Sequence, residues 1–253
     1  DSFAQVLSET DDATIVVLNA ADLNIGACDD FETLIPIAKD AGAWVHVDGA
    51  FGLFARASAK HRHLVRGLEH ADSWATDGHK WLNVPFDCGI AIIRDRVAHK
   101  AAMTITAPYI AAGGAARDQI DWNPEWSRRA RGVPVYAALR ELGRSGVQDL
   151  VDRCCDHCAA IVAGIGALPN VETVSEPMLN QGLLRFTQVG NAPEENDEYT
   201  DRVISEINDT GEAFFSGTTW QGRRAMRVSV VNWRTTEDDV RRAIAAAAEV
   251  LGQ

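Results

Sequence analysis

No apolar run in this sequence reaches the roughly 18 residues that a membrane-spanning helix needs, so no membrane span is expected. Basic residues are outnumbered. The 24 Lys and Arg against 36 Asp and Glu give a formal net charge of −12 and a pI near 5.0. A chain this acidic is a poor partner for nucleic acid or an anionic membrane surface. The opening DSFAQVLSETDD has neither a basic n-region nor an apolar h-region, so no secretory signal is read there. It begins at Asp1 rather than Met and reads as the interior of something larger. Cysteines number five, Cys28, Cys88, Cys154, Cys155 and Cys158. An odd, mostly scattered set supplies no disulfide framework, and a reducing compartment, the cytoplasm, is the expected location. Internal repeats and low-complexity tracts are lacking as well.

What is present is ordinary globular material. Of 253 residues, 46% are hydrophobic and 24% charged, enough core for one or two domains and too little polarity for disorder. The run ATIVVLN at 13–19 reads as a buried parallel strand. FETLIPIAKDA at 31–41 has helical spacing, with Gly42 as its stop. Strands are expected at 43–47, 72–76 and 89–94, so the first half predicts βαβ units and a mostly parallel sheet. Residues 104–124 hold Gly113, Gly114 and two prolines without periodicity, the composition of a functional loop such as a lid. Helices follow at 134–142 and 147–168, with Gly143 and Gly146 in the gap. The tail reads as a smaller α+β unit, with strands at 183–189 and 226–231 and helices at 199–208 and 237–251. Thr235 or Thr236 caps the last helix ahead of Glu237, Asp238 and Asp239. The predicted domains are therefore 1–145 and 146–253.

Two segments carry chemistry. In His46-Val47-Asp48-Gly49-Ala50-Phe51-Gly52 a strand ends on an acidic residue followed by small ones. Ligands of open α/β sheets bind at the carboxyl ends of strands. In DSWATDGHKWL at 72–82 a strand delivers Lys80, with His79 beside it, 32 residues after Asp48 and so one crossover away. An aspartate and a lysine on neighbouring strand ends suit pyridoxal phosphate: the amine forms a Schiff base and the carboxylate keeps the pyridine nitrogen protonated. Taken singly, each residue also has a plain structural explanation. A strand-end aspartate commonly caps a turn, a lysine after a strand is commonly solvated, and His46 with Asp48 could pair on a metal. The CCDHC cluster puts Cys154 and Cys158 on one helix face near His157, but no second Cys/His pair has zinc-like spacing. Buried helix cysteines are the better reading, and no metal is expected.

HVDGAFG followed by DSWATDGHKWLNVPFDCGIAII resembles the pyridoxal-phosphate-dependent group II amino acid decarboxylases of the type I aminotransferase fold. NIGACDDF, DWNPEWSRRARGVPVYAALRELGRSG and MRVSVVNWRTTEDDV extend the resemblance over almost the whole chain. It implies the C-terminal part of a pyridoxal-phosphate-binding large domain (1–145, lid near 104–124) followed by a small α+β domain (146–253). It further implies Lys80 as the Schiff-base lysine, Asp48 at the pyridinium nitrogen, Ala50 against the ring and His79 beside the cofactor near its phosphate. Arg227 matches a small-domain arginine, for which a plain surface role is an equal expectation. Members of this family carry a preceding N-terminal part that supplies a phosphate-cradling Gly/Ser-rich turn and a ring-stacking side chain. This sequence contains neither, so a fragment, or one chain of a split enzyme, is expected.

Two further departures bear on the reaction. The family's lid presents a tyrosine as proton donor. Gln119 falls near that place, and Tyr109 is the only tyrosine in the loop, so Tyr109 is the candidate. Ile25 stands where relatives often have a threonine that touches the cofactor, and Asn24 is the nearest polar substitute. The expected function is an amino acid carboxy-lyase, homodimeric, with active sites at the interface. The alternatives are an aminotransferase or other carbon–carbon lyase, a catalytically silent subunit, and, more distantly, a metal hydrolase using His46, Asp48 and His79. Trp122, Trp126, Trp220 and Trp233 are candidates for a substrate pocket, with 218–222 the segment expected nearest the site.

Overall fold

The computed structural model describes residues 2–10, 12–105 and 117–252. After a short helix α1 (Ser2–Ser8), three strands run parallel: β1 (Ile15–Asn19), β2 (Trp44–Asp48) and β3 (Ser73–Asp77). The helix α2 (Phe31–Asp40) makes the crossover from β1 to β2. Asp30 starts α2 by accepting the Thr33 N–H, and Gly42, at φ +74°, ends it. From β2 to β3 the chain runs through three short 3-10 turns instead of a helix. The strand β4 (Gly89–Ile93) returns antiparallel beside β3, closing the order β1-β2-β3-β4. Periodicity locates β4 but says nothing of its direction, which the tight 78–88 connection sets.

β1 differs from the expected buried strand. Val16 and Leu18 are in the core, whereas Ile15 and Val17 are 68% and 63% exposed, so one face of the strand lies open. Beyond β4 comes a helix that the sequence pattern does not announce, α3 (Arg96–Met103), with no buried residue and a cap from Asp95 to the Val97 and Ala98 N–H groups.

The segment α4 (Gly132–Gly166) comprises two helices that meet at a kink, as expected from the helices at 134–142 and 147–168. Gly143 breaks its helical geometry at φ 59°, ψ −171°. Before the break Val133, Tyr136 and Leu139 face solvent; after it Leu150, Val151, Cys154, Cys158 and Ile165 are buried. A second sheet comes next, wholly antiparallel, in the order β5-β6-β8-β7: β5 (Val171–Met178), β6 (Gln181–Phe186), β7 (Ser216–Trp220) and β8 (Arg223–Ser229). The helices α5 (Pro193–Asp209) and α6 (Glu237–Val250) complete it, and Thr236 caps α6 by accepting the Asp239 N–H. Inward residues of both sheets join one buried cluster through the second half of α4. The Cys154 and Cys158 thiols point at the Asn232 and Val228 carbonyls, and burial pushes them up to about 11 and about 12.

Candidate active site

β2 and β3 pair in register, Asp48 opposite Ala75, so Asp48 and Asp77 share one sheet face at the carboxyl ends of parallel strands. The end of β2 is held by backbone bonds on both sides: Gly49 N–H donates to Ala75 O at 2.8 Å, and Ala20 N–H to Asp48 O at 2.8 Å. The Asp48 carboxylate is exposed, and its Oδ1 accepts the Ala50 N–H at 3.1 Å, an Asx turn that aims the strand end outward. Ala50 itself is half-buried.

β3 ends at Asp77, and the chain turns at once. Lys80 N–H reaches back to Asp77 O at 3.4 Å, and Gly78 N–H donates to Cys88 O at 2.8 Å. Past the turn, Trp81 is fully buried and its indole N–H donates to Phe51 O at 2.8 Å. This single bond ties the lysine turn to the segment after Asp48. Lys80 Nζ consequently lies 4.2 Å from the Phe51 ring centroid and 2.9 Å from Asp77 Oδ2. The structure thus brings the Lys80 turn and the Asp48 turn together through Phe51.

His79 is half-buried, stacked on Phe86 at 4.2 Å between centroids. Its Nδ1 lies 3.1 Å from Cys88 N and 3.2 Å from Cys88 O, so the Cys88 backbone holds the ring in either tautomer, with Nδ1 accepting from the N–H or donating to the carbonyl. Its Nε2 faces Asp77 Oδ2 at 3.9 Å. His46, on the Asp48 strand, is instead engaged by Ser73 Oγ at 2.8 Å, a hydroxyl that also accepts the Trp44 indole N–H.

The second sheet reaches this site from one side. Asn83, at φ +50°, donates to Trp81 O at 2.9 Å and to Val231 O at 2.8 Å, across 148 residues of chain. On the other flank the 22–27 loop docks on β5, β7 and β8. Asn24 Oδ1 accepts the Thr218 hydroxyl at 2.9 Å, Arg227 Nε donates to Leu23 O at 2.5 Å, and Gly26 packs on the Met178 backbone. Desolvation lowers the Arg227 pKa. Arg227 is therefore a docking residue in this chain, not a free surface charge.

Tyr109 lies outside the described residues, as does most of the expected lid. The C-terminal end of that loop is anchored: Gln119 sits in a 3-10 turn, and Asp121 accepts from the Thr104 hydroxyl and Lys100 at 2.8 Å each. Of the four tryptophans singled out, Trp122 stacks edge-on with His99, Trp220 ends β7, and Trp126 and Trp233 are largely exposed. A cleft of about 1000 Å³, between α4 and the start of α6, contains none of the site residues. Another of about 500 Å³ is lined by Asp77 and Cys88 but not by Lys80 or Asp48. Lys80 and Asp48 stand at an open strand-end surface, and it is their chemistry, not cavity size, that marks the site.

Three residues of the site went unpredicted from sequence. Asp77 was readable as a carboxylate three positions before the lysine. Asn83 and Phe51 had no sequence signal, because their roles depend on contacts across the chain.

Comparisons with known proteins fit this geometry. The chain is 29% identical over 241 residues to the L-2,4-diaminobutyrate decarboxylase of Rhizobium meliloti (strain 1021), covering 92% of this chain and 48% of that protein. It is 29% identical over 221 residues to the histidine decarboxylase of Rattus norvegicus, covering 86% and 33% respectively. It superposes with a TM-score of 0.86 and 23% identity on the Oryza sativa TDC solved with PLP and tryptamine, covering 94% of this chain and 50% of that one. The chain thus spans about half or less of the length of these relatives. The model of the pyridoxal-dependent decarboxylase conserved domain matches residues 4–187, most of the chain, which therefore belongs to the pyridoxal-dependent decarboxylase family.

Proposed function

We propose that this chain is the lysine-bearing part of a pyridoxal-phosphate-dependent carboxy-lyase that removes the carboxyl group of an amino acid. The observation that carries the proposal is the placement of Lys80 and Asp48 at the carboxyl ends of neighbouring parallel strands, linked through Phe51. The donor set fits pyridoxal phosphate: a primary amine for its aldehyde, a carboxylate for its pyridine N–H and an imidazole alongside. When bound, that group supplies an aldehyde and a ring that takes up the electron pair released at the substrate's α-carbon.

The chain's own residues do the rest. Lys80 holds the group covalently. Asp48 holds a proton at the ring nitrogen, and Ala50 presents a methyl to the ring face. His79, its Nδ1 held by the Cys88 backbone, presents its Nε2 on the side of Asp77, the carboxylate that pairs with Lys80. Tyr109 is the lid residue that returns a proton to the substrate carbon. Relatives twice as long support a partner region that supplies the phosphate cradle, and we extend the proposal to a homodimer in the cytoplasm. The bend at Gly143 supports a division into a large-domain part, 1–145, and a small domain, 146–253.

The test is to add pyridoxal phosphate, reduce with borohydride and map the labelled peptide. The sequence has four lysines, Lys39, Lys60, Lys80 and Lys100. Label on Lys80 alone, lost in Lys80→Ala, is the expected result. Equal label on all four, or label that survives Lys80→Ala, overturns the assignment.

A further inference from the structure

All four lysines are paired with aspartates, but the pairs differ in kind. Lys39 with Asp72, Lys60 with Asp156 and Lys100 with Asp121 each join separate elements, and the lysine side chains are 38% to 56% exposed. Lys80 is 29% exposed, and its partner Asp77 stands three residues away inside one turn. That turn is fixed at both ends: Asp77 is paired with Gly89 in the β3–β4 ladder, and Trp81 is buried and bonded to Phe51 O. On the β4 side the register sets only Gly89 opposite Asp77, and of the two side-chain nitrogens near Asp77 Oδ2, Lys80 Nζ at 2.9 Å is nearer than His79 Nε2 at 3.9 Å. The other strand-end carboxylate, Asp48, forms no ion pair with Lys80 among the described residues, and its Oδ1 accepts the Ala50 N–H. The buried Phe51 ring, whose face favours a cation, also lies 4.2 Å from the ammonium.

We propose that Asp77 is a positioning residue for Lys80. It holds the ammonium at its carboxylate, within reach of the Phe51 ring, whenever the amine carries no covalent partner, and so restrains the reactivity of that amine. The inference rests on the reading of Lys80 as the reactive lysine, but the hold itself is a property of the chain without pyridoxal phosphate.

The experiment is competitive acetylation of the chain by an N-hydroxysuccinimide ester at neutral pH, read lysine by lysine by mass spectrometry. In the wild type Lys80 is expected to be the slowest of the four. Asp77→Asn should speed Lys80 about two- to fivefold, the range a partly exposed ion pair yields, and leave Lys39, Lys60 and Lys100 unchanged. Asp77→Glu, which restores a carboxylate, should bring Lys80 back toward the wild-type rate. An unchanged Lys80 rate in Asp77→Asn, a parallel rise at all four lysines, or Asp77→Glu behaving like Asp77→Asn overturns the proposal. Capture of pyridoxal phosphate is scored separately. If Lys80 is released selectively but never takes that label, the cofactor reading fails and the Asp77 hold stands. If Lys80 takes the label while Asp77→Asn changes no rate, the reverse holds.

Discussion

Asn83 gives the sharpest test of how the two sheets are joined at the lysine turn. Its side chain donates to Trp81 O and Val231 O, its Oδ1 accepts the Trp233 N–H at 3.4 Å, and its backbone sits at φ +50°. Replacing it with glycine removes all three bonds but keeps a residue at ease in that conformation. The two short bonds at about 1 kcal/mol each, with the long third adding little, put the expected loss at about 2 kcal/mol. Alanine removes the same bonds and adds a left-handed backbone penalty of about 1–2 kcal/mol, for a total of about 3–4 kcal/mol. In a chain of this size each kcal/mol lowers Tm by about 2–4 °C, so Asn83→Ala should melt several degrees below Asn83→Gly. Urea unfolding followed by tryptophan fluorescence measures both. Equal midpoints for the two variants would refute the backbone part of the reasoning. A loss under about 0.5 kcal/mol in both would refute the clamp, since one ordinary hydrogen bond already exceeds that.

Other expectations can be checked on the same material. Gly26→Ala places a Cβ 2.0 Å from Met178 O at φ +72°, whereas Gly42→Ala meets nothing within 4 Å at φ +74°. Stability should therefore fall by about 1–2 kcal/mol in Gly42→Ala and by an additional 1–3 kcal/mol or so in Gly26→Ala, read from urea midpoints. Asp197 neutralises the buried Arg185. Desolvation pushes the Asp197 carboxyl up, but the Arg224 N–H and the Arg185 guanidinium outweigh it and hold the pKa below its ordinary value. Stability from this carboxylate is thus present above its unfolded pKa of about 3.9 and lost as pH falls further. The stability gap between wild type and Asp197→Asn should be full at pH 6 and shrink on acidification through about pH 4, as measured by urea midpoints across pH. A gap that stays constant would contradict this pairing. Thiol titration should find Cys154, Cys155 and Cys158 inert to maleimide in the folded chain and reactive in urea, because burial raises all three.

The catalytic skeleton was legible because its logic is local. A strand that ends in Asp48, and another that ends in a turn with His79 and Lys80, carry their positions in a few contiguous residues. The cap at Thr236 was equally local. What escaped was non-local or weakly patterned. β5 is VETVSEPM, polar, with Pro177 at a register shift, and β7 is SGTTW. Neither shows the apolar alternation that announces a strand, and both exist because β6 and β8 offer them partners. The docking of Leu23, Asn24 and Gly26 onto the second sheet joins residues some 150 to 200 apart, beyond any spacing argument. The two helices within α4 were legible too, because Gly143, at φ 59° and ψ −171°, takes the chain out of helical geometry between them.

The bare side of β1 bears on how this chain behaves in company. β1 has one strand neighbour among the described residues, β2, and its outer edge is capped at the Asn19 end, where Asp29 bonds both the N–H and the C=O, so no described strand pairs with the outer edge ahead of Asn19. Its sequence, IVVLN, has no lysine or proline to blunt that edge, and Ile15 and Val17 project beside it. Such an edge is a template for strand addition between copies. Concentrated solutions of the chain should therefore self-associate through it, in proportion to how much of β1 stays uncovered.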